Sequence, residues 1–114
     1  ELAAARRFGR TEIAGAAAAA AALWGVEVRD LLSRRRDEAV LPPRFALYWA
    51  LREQKRPWAD IPRPWPRIGR MLDRDHSTVI AGYRKALALR ESHPEFQRLS
   101  DRLLTMIEEG ACPL

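Results

Sequence analysis

Apolar residues in this chain recur at helical spacing, and nowhere do they alternate over a strand length as a half-buried strand would. The alanine-rich run predicts a first helix over about Thr11–Trp24, with Thr11 as N-cap and Gly25 as the stop. A short helix over about Val28–Ser33 follows, and then the charged loop Arg34–Glu38. Pro42 and Pro43 stand where proline starts helices, opening one from about Pro43 to Gln54. Phe45, Leu47, Tyr48, Trp49 and Leu51 make that helix apolar on most sides and mark it as the central core helix. Residues 55–64 form a loop rich in proline and tryptophan, including Trp58. Pro66 initiates a short helix to about Leu72, with Ile68, Met71 and Leu72 inward, and Asp73-Arg74 is a turn. The next helix runs to about Glu91, and Pro94 starts a last amphipathic one carrying Phe96, Leu99, Leu103, Leu104 and Ile107. The expected fold class is all-α, a small domain of about six helices.

Composition narrows the partners. At 114 residues and 47% hydrophobic, the chain makes one small domain with a modest core. The net charge of +5 and a pI near 10.3 put nucleic acid ahead of acidic proteins or membrane surfaces. Only Lys55 and Lys85 among the 20 basic residues are lysine, and arginine suits bidentate binding of phosphate and guanine. Cys112 has no partner, which excludes a disulfide framework or a cysteine-based zinc site and fits a reducing cytoplasm. Arg6, Arg7 and Arg10 before Ala14–Leu23 imitate a leader peptide. Alanine is barely hydrophobic but the best helix former, and Glu12 and Gly15 interrupt the run, so a soluble helix is expected. The start at Glu1 suggests a domain excised from something longer.

The chemistry concentrates in Arg74-Asp75-His76-Ser77-Thr78-Val79, which opens the penultimate helix. Its first turn carries four short polar groups able to donate, accept or offer a methyl. Behind them Val79, Ile80, Tyr83, Ala86 and Leu87 form a core-facing stripe, with Arg84 and Lys85 off it. A helix that reads a DNA major groove needs this division: base-reading groups at its N-terminal end, an apolar seam behind, and cations where phosphates pass. Taken singly, Asp75 is as well explained as a helix cap, and Arg34–Arg36 as a solvated charge run near a helix end.

Residues 23 to about 90 resemble the C-terminal DNA-binding domain of the bacterial replication initiator DnaA. The resemblance rests on Gly25-Val26, Asp30-Leu31-Leu32-Ser33 with Arg34-Arg35-Arg36, Pro43-Arg44, Trp65-Pro66-Arg67-Ile68-Gly69, and above all Arg74–Val79 with Arg84-Lys85. It implies a central helix-turn-helix, with 1–10 as a basic N-terminal segment, 11–92 as the DNA-binding domain and 93–114 as a C-terminal amphipathic helix and tail. It further implies Asp75, His76, Ser77 and Thr78 at base edges in the major groove, and Arg36 in the minor groove, where narrow A/T-rich stretches concentrate negative potential. Phosphate contacts map onto Arg35, Arg44, Arg52, Trp65, Pro66, Arg74 and Lys85. The chain departs from the family at Asp37-Glu38, Pro42, Phe45, the glycine-free Leu72-Asp73 turn and a longer 55–64 loop. These departures imply a related but shifted DNA site.

Catalysis is not expected. There is no P-loop glycine pattern for a nucleotide, and two distant histidines with one cysteine make no metal or nucleophile constellation. Asp75, His76 and Ser77 are neighbours on one helical turn and do not face one another as a triad must. No cofactor and no membrane contact are expected; the partner is double-stranded DNA. Three functions stay open. One is a sequence-specific transcription regulator, in the manner of the activators of gene transfer agents in alphaproteobacteria. Another is a replication factor binding or competing for initiator boxes. The third is an interaction module docking RNA polymerase or another regulatory protein. The expected location is the cytoplasm, at the nucleoid.

Overall fold

A computed structural model describes the backbone of residues 2–55 and 61–110 and the side chains of 13–55 and 61–109. Among these residues it holds six helices and no strand: α1 (Leu2–Trp24), α2 (Val28–Leu31), α3 (Leu41–Glu53), α4 (Trp65–Leu72), α5 (His76–Ser92) and α6 (Pro94–Gly110). The all-α expectation holds. The start of α1 differs: the helix continues upstream of Thr11 to Leu2, through a segment of strong helix formers. Its end is as expected. Gly25 takes a φ of 70°, and the Val26 amide reaches back to the Ala21 carbonyl at 3.0 Å, a Schellman closure. Trp58 and Cys112 lie outside the described residues, as does the side chain of Thr11.

The core is built around α3, on which Ala46, Leu47, Tyr48, Ala50 and Leu51 are at most 1% exposed. A helix apolar on all sides must be wrapped on all sides, and α1, α4, α5 and α6 do this. Helix α1 contributes Ala16, Ala17, Ala20 and Ala21, small side chains that let its backbone approach closely. Helix α6 seals the other flank with Phe96, Leu103 and Ile107, so residues 94–110 pack into the same core as the rest. Arg90 of α5 fastens this corner: its guanidinium lies 4.1 Å from the Trp49 ring and donates to Ser100 and Asp101.

Helices α4 and α5 make the helix-turn-helix. Helix α4 closes with a second Schellman contact, Arg74 N–H to Gly69 C=O at 2.7 Å. Asp73 occupies its left-handed position, φ 54° and ψ 52°, which explains how a turn without glycine at this point still reverses the chain. Gly69 is needed for space: a Cβ there would lie 2.5 Å from the Arg74 carbonyl oxygen. The buried face of α5 is Val79, Gly82 and Ala86, and Leu87, expected on the stripe, is 40% exposed. The stripe is shifted because Gly82, invisible to a hydrophobic count, is where α5 packs directly on Tyr48 of α3.

Candidate nucleic-acid interface

Asp75 is the N-cap of α5, with φ −65° and ψ 142°. Its Oδ2 accepts the Ser77 amide at 3.1 Å and the Ser77 hydroxyl. Those two bonds hold its carboxyl below the usual carboxylate range, so it is an anion at neutral pH. His76, Ser77 and Thr78 follow, all exposed, while Val79 is wholly buried. The turn is thus anchored from below and open above. Asp75 thus caps the helix through Oδ2 and stands on the same exposed turn as the three others.

The basic loop lies beside this turn, across the N-terminal half of α3. Arg35 is held by Asp30 at 3.0 Å and by Asp37, and the guanidinium draws the Asp37 carboxyl below its ordinary pKa. Arg34 pairs with Asp73 at 3.3 Å across the two loops. Arg36 is exposed and has no ion pair among the described residues.

Arg44, expected at a phosphate, is held within the protein. It is 6% exposed, and its guanidinium turns inward to backbone carbonyls of residues 30–35. Burial pulls its pKa below the ordinary arginine value, and the nearby charges of Arg74 and Arg36 act in the same direction. Arg74 is likewise engaged with carbonyls of residues 32 and 33 and of its own turn. Sequence carries no signal for this, because the acceptors are backbone oxygens that only the fold assembles.

Between loop, α3 and α5 lies an open groove of about 420 Å³. Arg34, Arg36, Arg44, Arg74 and Lys85 line it, with Asp75 as the one carboxylate, and Phe45, Tyr48 and Gly82 form its floor. Five cations against one anion make a strongly positive recess, and neighbouring low-dielectric walls focus that field. On the far flank Trp65 is half-buried, with Arg52 4.1 Å over its ring and Tyr83 edge-on at 4.9 Å. Arg52 also donates to the Arg63 carbonyl at 2.7 Å, so its head group is fixed. Tyr83 donates to Glu53 at 2.6 Å; burial, helped by that carboxylate, pushes its phenol up to about 12. Pro66 and Lys85 are exposed. Sequence reasoning missed Gly82, whose position inside a helix was the available signal, and the buried Arg63, which donates to Leu51 and Gln54 behind α3.

Among the described residues no helix is long and apolar enough to cross a membrane. No group of three or more His, Cys, Asp or Glu among them could hold a metal ion.

Comparison with known proteins gives one consistent answer. The family model described as the bacterial dnaA protein helix-turn-helix matches residues 17–86, more than half of the chain. The chromosomal replication initiator protein DnaA of Caulobacter sp. (strain K31) is 38% identical over 72 residues, which is 62% of this chain and 14% of the relative. The same protein of Caulobacter vibrioides (strain NA1000 / CB15N) is 40% identical over 68 residues, 59% of this chain and 13% of the relative. The chain therefore spans about one seventh of the length of the curated relatives it matches. No solved structure gives a significant match. The matched segment runs from the buried alanines of α1 through the basic loop to Ala86 of α5, and so includes every residue of the groove; the chain belongs to the DnaA helix-turn-helix family.

Proposed function

We propose that this protein binds double-stranded DNA sequence-specifically through α5 and the basic loop, and that it acts as a transcription regulator. The observation that carries the reading is the groove: its cationic recess joins an exposed polar first turn of α5 to the exposed Arg36. Asp75, His76, Ser77 and Thr78 read base edges in the major groove, Thr78 through its methyl against thymine and Asp75 through its free oxygen against an amino group. Arg36 enters the minor groove. Lys85, Trp65 and Pro66 border the backbone and supply sequence-independent affinity, with Arg35 and Arg52 beside them already engaged by Asp30, Asp37 and the Arg63 carbonyl. The protein is a binding module, and no reaction is assigned to it.

A regulator is favoured over a replication factor by the altered flanks, Asp37-Glu38 beside Arg36 and Phe45 in the groove floor, which shift recognition away from the initiator's own site. The replication reading has support of its own, because the relatives that match are replication initiators. Fluorescence anisotropy with an initiator box, its scrambled version and the gene's upstream region, each at several salt concentrations, separates these. Preference for the upstream region with a steep salt slope supports the regulator. Preference for the box supports the replication reading. A weak salt slope with no preference means that the groove is not a DNA site and leaves docking of a protein such as RNA polymerase.

A further inference from the structure

The end of α2 needs donors from elsewhere in the chain. A helix of one turn closes few internal bonds: Asp30 O accepts from the amide and hydroxyl of Ser33, while the carbonyls of Leu31, Leu32 and Ser33 meet donors from other parts of the chain. Arg44 and Arg74 supply those donors. Arg44 Nε donates to Leu31 O at 2.9 Å, one Nη to Arg35 O at 2.6 Å, and the other to Ser33 O at 3.0 Å and Asp30 O at 3.3 Å. A guanidinium has five N–H donors, so four such bonds leave little for a phosphate. Arg74 reaches the same segment from the other side. One of its Nη atoms donates to Leu32 O at 3.3 Å and to Ser33 O, and the second to Leu72 O at 3.4 Å and Asp73 O at 3.2 Å. The Ser33 carbonyl therefore accepts from both arginines.

From this we infer that Arg44 and Arg74 are positioning residues: they clamp the basic loop to the helix-turn-helix and so set where Arg36 projects relative to the first turn of α5. The inference deepens the DNA-binding reading and rests on it for its functional consequence, although the clamp itself exists in the free protein. Two groove readers on different elements discriminate only if their separation is fixed, since each must meet its own groove at once. The clamp needs the planar fork of arginine. Lysine keeps the charge but is a single point donor and cannot span four carbonyls. This gives a clean contrast with a phosphate anchor, for which lysine is an adequate substitute.

The test uses the full chain as wild type, Arg44→Lys, Arg74→Lys, Arg36→Ala and the Arg44→Lys/Arg36→Ala double variant, with thermal melts showing which are folded. Arg74→Lys, at a half-buried position, carries the test if Arg44→Lys does not fold. In free protein, trypsin should make its first cut between Arg34 and Asp37 about fivefold faster or more in either lysine variant, because local opening governs cleavage. An unchanged cutting rate overturns the clamp. In DNA titrations against the preferred duplex, Arg44→Lys should weaken binding about tenfold with the salt slope unchanged, since lysine keeps the charge and only the clamp is lost. Adding Arg36→Ala to it should cost much less than Arg36→Ala costs alone, the non-additivity expected of coupled groups. Wild-type-like binding by Arg44→Lys, or a fully additive double variant, overturns the positioning role. If the wild type binds no duplex, the DNA-binding reading fails, and the trypsin result alone decides for or against the clamp.

Discussion

Gly82→Ala has a sign that the structure decides against ordinary helix propensity. At an open helical position, alanine in place of glycine stabilises by about 1 kcal/mol. At position 82 the new Cβ would lie 2.3 Å from Cδ2 and 2.5 Å from Cε2 of Tyr48, and 3.2 Å from Cδ1 of Phe45. Carbon atoms settle at about 3.5–4.0 Å, so the deficit exceeds about 1 Å. The Tyr48 side chain is 1% exposed and packed among core residues. Either α5 lifts off α3 or the core rearranges, and overpacking of this kind costs about 1–3 kcal/mol. Taking the upper end and subtracting the propensity gain leaves a net loss of about 2 kcal/mol. For a domain of this size that lowers the melting temperature by roughly 8 °C. Thermal and urea unfolding followed by circular dichroism measure it. Because α5 carries the exposed turn 76–78, DNA affinity should fall with stability. Combining Gly82→Ala with Tyr48→Leu should cost less than the two single changes summed, since the clash is gone. A melting temperature that rises in Gly82→Ala would refute the close approach of α3 and α5 and the geometry of the groove built on it.

Further expectations concern the groove and its cap. His76→Ala and Thr78→Ala should each relax preference at one or two base pairs, costing about 1–3 kcal/mol of discrimination in competition titrations. Lys85→Ala should weaken all duplexes alike and reduce the salt slope by about one, and an unchanged slope would remove Lys85 from the phosphate contacts. Asp75 has a folded-state pKa below its unfolded one, because the Ser77 hydroxyl and amide bond its charged form. Its contribution is therefore present above the ordinary carboxylate value, about pH 4, and is lost as pH falls through the lowered folded value. Melting temperature against pH should show a smaller acid-side loss in Asp75→Asn, which keeps a capping oxygen without a titrating charge; identical curves would mean that folding leaves the Asp75 pKa unchanged.

Much of this molecule is legible without its fold. Helix positions follow from local rules: proline opens α3 and α6, Gly25 ends α1, and apolar spacing marks α4 and α6. The polar first turn of α5 and the arginine run before α3 are contiguous in sequence, so their chemistry can be read directly, and so can the family to which they point. One boundary and one buried face were not legible. Helix α1 continues past Thr11 because flanking residues of high propensity outweigh one available cap. The stripe of α5 centres on Gly82 because what matters there is the space taken by Tyr48, a residue 34 positions away in a different helix.

Sequence by itself determined the helix positions, the positive charge and the family. It could not determine which cations remain available, because an arginine's partner is often a backbone oxygen, and every residue type carries one. Arg36, Arg44 and Arg74 look alike in the sequence. The fold brings the carbonyls of residues 30–35 to Arg44 and Arg74 and leaves Arg36 exposed, and so separates two engaged guanidinium groups from one open to solvent.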